Sequence, residues 1–190
     1  MSSGIALIFM ASGRSKRFGG DKLTYAIDGV PMAERCFRAV PEGLFSPVAV
    51  VTRSAAVAEL AKRRGFIPVL NPATTDDTAV TIRLGLELAN GSDGCAFAVC
   101  DQPYLTADSY RKLAAAFSAR PDRIVALSWR GTRGNPVLFP SALFDELRAL
   151  PPGGTGRQVI QRHQSLLSTV EVADGRELQD IDTLDCIAET

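Results

Sequence analysis

Residues 5–23 read IALIFMASGRSKRFGGDKL, and the rest of the chain is organised around them. Ile5 to Met10 is an unbroken apolar run, the length of a strand covered on both faces. It empties into a polar loop with Gly13, Gly19 and Gly20 that carries Arg14, Lys16, Arg17 and Lys22. Glycines let backbone N–H groups approach an anion and the cations neutralise it, so the stretch predicts a phosphate site. Two common phosphate loops are excluded: there is no G-x-x-x-x-G-K-[ST] and no G-x-G-x-x-G.

Outward from this loop the chain alternates strands and helices. Asp28-Gly29 predicts a turn, and Pro31 opens a helix over 32–40, where its missing N–H would have no partner anyway. Strands are expected at 48–52 and 66–70, with Ser54 capping a helix that ends near Gly65. A helix follows at 78–88, a strand at 95–100, and a helix through Ser118 capped by Thr106 or Asp108. The pattern then predicts a strand at 124–129, a polar loop at 130–134 and a short strand at 136–139. Ser141 opens a helix to about Leu150. A glycine-rich loop at 151–156 leads into a helix at 156–163, then a strand at 166–172 and a terminal helix at 184–188. This alternation means an α/β fold, three-layer α/β/α, with a mostly parallel sheet covered on both faces. Such Rossmann-like sheets bind ligands at the carboxyl ends of their strands, where both the basic loop and Asp101 fall.

The 190 residues predict a single domain over 1–190, since ~100–200 residues per domain is usual. Hydrophobic residues at 46% and charged residues at 22% fit a soluble globular protein. A formal net charge of zero argues against a broad grip on nucleic acid or an acidic membrane. No apolar run approaches the ~20 residues of a membrane span, and no secretory signal is read. Cys36, Cys95, Cys100 and Cys186 form no C-x-x-C pair and have only His163 to join them, which disfavours zinc and fits a reducing cytoplasm. His163, near a helix end, reads as structural, and Trp129 as packing.

Asp101 leads Asp101-Gln102-Pro103-Tyr104. An apolar strand delivers its carboxylate to the sheet edge, a hard oxygen ligand that suits Mg2+ bound with substrate phosphates. In Asp180-Ile181-Asp182-Thr183 an extended backbone puts both aspartates on one side. The segment also reads as part of an acidic surface turn with Asp174, Glu177 and Asp185. Arg133, the N–H groups beside Gly134, and Asn135 can face an anionic acceptor.

The first loop resembles the nucleotide-binding signature of the MobA-like nucleotidyltransferases, roughly L-A-[AG]-G-x-S-x-R-[FM]-G-x-x-K. Met10, Ala11, Ser12, Gly13, Ser15, Arg17, Phe18, Gly19 and Lys22 fall on it. The S-x-R-F-G version is most similar to the molybdenum cofactor cytidylyltransferases. Met10 and Ser12 are departures that look like the branch associated with selenium-dependent molybdenum hydroxylases. The D-Q-P, the Arg133–Phe139 stretch and the D-I-D-T are similar to further segments of the family. Cys100 replaces a Gly, and Gly154 stands where an Asp is usual. Asp77-Thr78-Ala79-Val80-Thr81-Ile82 matches the family's G-M-S-S-S-I only loosely.

The resemblance implies a Mg2+-dependent enzyme with a nucleotidyltransferase fold. It would transfer CMP from CTP to the phosphate of a molybdopterin-type acceptor, release pyrophosphate, and supply a molybdenum hydroxylase. Ala11, Ser12, Gly13, Arg14 and Ser15 would then line the nucleotide, and Arg133 and Asn135 the acceptor. Arg17 would face the β- and γ-phosphates and Lys22 the α-phosphate, with Asp101 on the metal and a second carboxylate from the D-I-D-T, Asp182 with Asp180 as the alternate. The alternatives are a guanylyl- or other nucleotidyltransferase acting on a sugar phosphate or a different pterin, and a non-catalytic nucleotide-binding maturation protein.

Overall fold

The computed structural model describes residues 4–13, 18 and 21–183. In chain order the elements are β1 (Ile5–Ala11), β2 (Ala26–Ile27), β3 (Val30–Pro31), α1 (Met32–Arg38), β4 (Val48–Thr52), α2 (Ala55–Arg63), β5 (Ile67–Leu70) and α3 (Thr78–Leu88). Then come β6 (Gly94–Val99), α4 (Ala107–Ala119), β7 (Ile124–Trp129), β8 (Thr132–Pro140), α5 (Phe144–Arg148), α6 (Gly156–Arg162) and β9 (Leu167–Glu171).

β1 is an interior strand, third of seven, in a sheet ordered β5-β4-β1-β6-β8-β7-β9. Its parallel neighbours are β4 and β6, while β8 runs antiparallel to both β6 and β7. The alternation along β1 shows why an all-apolar run was needed. Leu7 and Phe9 point into a core shared with α1, α2 and α4, and Ala6 and Ile8 into a second core shared with α3, α5 and α6. All four side chains are fully buried. The result is a three-layer α/β/α fold with a mostly parallel, mixed sheet.

Local chemistry sets the helix starts. Ser54 accepts from the Val57 N–H, Thr106 from the Ser109 N–H and Asp77 from the Ala79 N–H, each satisfying a donor that the first helical turn leaves open. Two glycines let the outer layers close on the sheet. A Cβ on Gly85 of α3 would stand 2.4 Å from Ile8 Cγ2, and one on Gly94 of β6 would stand 2.4 Å from Phe117 Cζ.

The structure departs from the sequence pattern in two places. The predicted polar loop at 130–134 is a tight turn at Arg130 and Gly131, both at positive φ, and β8 already begins at Thr132. Arg133 and Asn135 are therefore strand residues: Arg133 pairs with Ser128 of β7, and Asn135 lies in the register shift before Val137 pairs with Ala126, a placement their own low strand propensity does not announce. The helix expected after Ser141 starts as a 3-10 turn at Ser141–Leu143 before α5. The terminal helix at 184–188 lies outside the described residues. Among the described residues no helix is long and apolar enough to cross a membrane.

Candidate active site

β1 and β6 run side by side with Met10 opposite Val99, so the segments after their carboxyl ends emerge together. One is the basic loop, the other Cys100-Asp101. The loop re-enters the fold at a 3-10 turn, Lys22–Thr24, where the Asp21 carboxylate accepts from the Leu23 N–H at 3.3 Å. That turn buries Lys22 and aims its ammonium at the sheet edge. Lys22 Nζ donates to Asp101 Oδ2 at 2.8 Å and to Asp182 Oδ1 at 3.1 Å. Burial alone would lower the Lys22 pKa, but the hydrogen bond and charge of Asp101, then those of Asp182, overcome it and hold the ammonium above its ordinary range.

Two carboxylates, one from mid-chain and one from near its end, thus converge on one cationic centre. Asp180 goes elsewhere: its Oδ1 accepts from Gln102 Nε2 at 2.9 Å. Although Asp180 is exposed overall, its carboxyl is pushed up, first by desolvation on the side facing the protein and then by the charge of Asp101. Ile181 between the aspartates is fully buried against Ile27 and Met32, as the extended alternation requires. The geometry therefore separates the two aspartates, pairing Asp182 with Asp101.

The donor set fits a divalent cation of the Mg2+ or Mn2+ kind. It consists of hard carboxylate oxygens that already meet a positive charge, with too few protein ligands for a closed cage. Among the described residues no cluster of three or more His, Cys, Asp or Glu side chains offers such a cage. Cys36, Cys95 and Cys100 are free and buried, and burial pushes their thiols up, so they are core residues. Cys186 lies outside the described residues.

Two cavities adjoin along the same edge. One, of about 230 Å3, is lined by Ser12, Gly13, Thr78, Thr81 and the acidic pair Asp76 and Asp77. The other, of about 260 Å3, has an apolar floor that includes Phe97, Val137 and Phe139, with Arg133, Asn135 and Arg157 on its rim. Met10 and Thr78 line both. In the smaller cavity Ser12 is buried and its hydroxyl donates to the Val51 carbonyl at 3.1 Å, which fixes it as part of the wall. Ala11 is buried behind it as the last residue of β1. Among the described residues, a Cβ on Gly13 would meet no atom within 4 Å beyond its chain neighbours, so on that side the space beside its backbone is open.

The structure thus brings together Ser12, Gly13, Lys22, Asp101, Asp182, Arg133 and Asn135 around one edge, with Ala11 in support. Arg14, Ser15 and Arg17 lie outside the described residues. The sequence reading missed Asp77, whose Oδ1 accepts from both Ala79 N at 2.9 Å and Gly153 N at 3.2 Å. It thereby ties the first turn of α3 to the glycine-rich loop beside the larger cavity. Glu177 was also missed; it sits in the 3-10 turn Gly175–Leu178, but its side chain is buried at 3% exposure. The D-x-x-E spacing of Asp174 and Glu177, a capping-box pattern, was the available signal. His163 is structural as expected, with Nε2 2.6 Å from Glu146 Oε2.

A model of the MobA-like NTP transferase domain matches residues 7–166. The chain belongs to this family. The match runs from β1 to the turn before β9 and includes Lys22, Asp101, Arg133 and Asn135, while Asp182 lies beyond it. Among curated relatives, the purine catabolism protein PucB of Bacillus subtilis (strain 168) is 25% identical over 93% of this chain and 90% of its own length. Solved structures share the fold at lower identity. Rv0371c from Mycobacterium tuberculosis H37Rv superposes with a TM-score of 0.82 at 20% identity, covering all of this chain and 98% of that one. The same protein in complex with manganese gives 0.75 at 19% identity, covering 98% and 97% of the two chains. CMP:2-keto-3-deoxy-manno-octonic acid synthetase complexed with CTP gives 0.78 at 14% identity, over 98% and 96%.

Proposed function

We propose that this family member is a cytidylyltransferase that moves CMP from CTP to the phosphate of a molybdopterin-type acceptor and releases pyrophosphate. The observation that carries the reading is the pair of adjoining cavities that share Met10 and Thr78. A transferase needs donor and acceptor held edge to edge, and here a polar cavity beside the strand-end loop meets an apolar one rimmed by cations. The larger cavity suits a flat heterocycle on Phe97 and Phe139, with Arg133 and Arg157 available to an anionic substituent.

Nucleotidyl transfer is positioning plus charge neutralisation at phosphorus. Asp101 and Asp182 would hold a divalent cation, Mg2+ in our reading, which supplies charge neutralisation for the nucleotide phosphates. Gly13 leaves room for the nucleotide to approach the backbone. Lys22 would turn from the carboxylates to the α-phosphate, and Arg17 would face the β- and γ-phosphates. The acceptor phosphate is already anionic, so no strong general base is needed. The cytosine preference rests on the small Ser12 after Ala11. A relative named for purine catabolism fits a product destined for a molybdenum hydroxylase that acts on heteroaromatic rings.

The test is pyrophosphate release with Mg2+ and each NTP in turn, with and without molybdopterin, for wild type and Asp101→Ala. The expected result is release that prefers CTP, requires the pterin and falls by about 10²–10³ in the variant, the range for loss of one electrostatic partner of a transition state. GTP preference would move the chain to guanylyl transfer. Release with a sugar phosphate in place of the pterin would overturn the acceptor, and CTP binding without release under any condition would overturn catalysis.

A further inference from the structure

The segment that carries Asp182 is a strap, not a strand end. After β9 the chain crosses the first turn of α4 and reaches the metal corner at Asp182. Its course is set by a few directed contacts. Ile181 N donates to the Asp101 carbonyl at 2.9 Å, and Gln102 Nε2 donates to the Leu178 carbonyl at 3.1 Å as well as to Asp180. The strap passes close to the body at Gly175, where a Cβ would stand 2.5 Å from Trp129 Nε1.

Glu177 dominates this attachment. Its Oε2 accepts from Ser109 Oγ at 2.6 Å, Thr106 Oγ1 at 2.8 Å and Thr106 N at 3.1 Å. Its Oε1 accepts from Ala173 N at 3.2 Å and Asp174 N at 3.4 Å. One buried carboxylate therefore gathers five donors, three of them from the start of α4, where the helix dipole also favours negative charge. Burying a carboxylate is costly unless its hydrogen bonds are made. An apolar side chain would fill the same space but would fix neither the rotation nor the register of the strap, whereas five directed bonds fix both. Asp182 lies five residues further on.

We propose that Glu177 is a positioning residue for the metal corner: it locks the strap on α4 so that Asp182 reaches the point where Asp101 and Lys22 meet. This rests on the reading of Asp101 and Asp182 as metal ligands. Groups hydrogen-bonded directly to a metal ligand commonly change its affinity by about 10–100-fold when they are lost; Glu177, which acts on Asp182 through the backbone of the strap, belongs at the low end of that range.

The experiment is a Mn2+ titration of the nucleotide-free protein followed by electron paramagnetic resonance, on wild type, Glu177→Gln and Asp182→Asn. Gln keeps the shape but turns an NH2 group towards donors. Hydrogen exchange at the Ile181 amide is measured in parallel, and circular dichroism confirms folding. The expected result is Mn2+ affinity weakened by about tenfold or more in Glu177→Gln, with faster exchange at Ile181. Wild-type affinity in Glu177→Gln beside weak binding in Asp182→Asn would overturn the proposal alone. Wild-type affinity in Asp182→Asn would overturn the proposal together with the metal assignment, leaving pyrophosphate release as the separate judge of the transferase reading. If Glu177→Gln does not fold, Ser109→Ala removes the shortest of the five bonds; an intermediate loss of affinity is expected, and wild-type affinity would overturn the proposal.

Discussion

Lys22→Met separates two roles that one ammonium combines. Met keeps most of the apolar stem but removes the ammonium that Asp101 and Asp182 share. The two lost contacts, at 2.8 and 3.1 Å, are charge-assisted bonds, of a kind that contributes about 1.5–3 kcal/mol each. The Asp101 and Asp182 side chains are 26% and 43% exposed, so water replaces part of the loss. A net destabilisation of about 2–3 kcal/mol follows, or about 5–10 °C in Tm for a chain of this size. Metal binding moves the other way. In the wild type an entering cation must displace the ammonium, and relief of even 1.4 kcal/mol of competition is about a tenfold change. The variant should therefore bind Mn2+ about tenfold more tightly without nucleotide, and saturating Mn2+ should restore much of its Tm. The pH dependence has a fixed sign. The folded-state pKa of Lys22 is raised, so its stabilising contribution is complete below the unfolded lysine value and is lost as pH rises through the folded one. The gap in Tm between wild type and variant should hold to about pH 10 and close above it. Thermal melts with and without Mn2+, together with a paramagnetic resonance titration, measure all three effects. Equal melting temperatures, or weaker metal binding in the variant, would refute the reasoning.

Gly85→Ala sets helix propensity against packing. Alanine is better in a helix by about 1 kcal/mol, but its Cβ would stand 2.4 Å from Ile8 Cγ2 in the central strand. Overpacking costs about 1–3 kcal/mol, and a 2.4 Å approach falls in the upper part of that range, about 2–3 kcal/mol, so a net loss of about 1–2 kcal/mol remains and Tm should fall by about 2–8 °C; an unchanged or higher Tm in a calorimetric scan would count against the close fit of α3. Glu146→Gln tests the anchor between α5 and α6. Burial alone would raise the Glu146 pKa, but the hydrogen bonds from His163 and then Arg162 lower it. Its stabilising effect is present above the unfolded glutamate value and lost as pH falls through the folded one. The wild type should lose Tm below about pH 4 while the variant shows a flatter profile there; parallel acid profiles would remove Glu146 from the account.

The part of the site carried by local pattern was legible in the sequence. An apolar run followed by glycines and cations predicted β1 and the position of Lys22, and an apolar strand ending in Asp101 predicted that carboxylate at the sheet edge. Ser54 and Thr106 announced their helices because capping is a short-range interaction. What stayed hidden depends on partners far along the chain. Arg133 to Asn135 belong to a strand only because β7 lies beside them. Asp182 was favoured over Asp180, but the difference between them rests on Lys22 and Gln102, more than 75 positions away. Glu177 looked like one more acid in a charged tail because its donors, Thr106 and Ser109, come from another layer of the fold.

Met10 and Thr78 form a wall common to both cavities. On the proposed reading, in which one chamber takes the nucleotide and the other the acceptor, the two substrate preferences are not separate traits. A bulkier residue at either position narrows both chambers at once, and a smaller one widens both. A lineage that changes its nucleotide through this wall must retune its acceptor in the same step. A designer who wants one change without the other has to work from the far sides, at Thr81 or Asp76 for one chamber and at Val137 or Arg157 for the other.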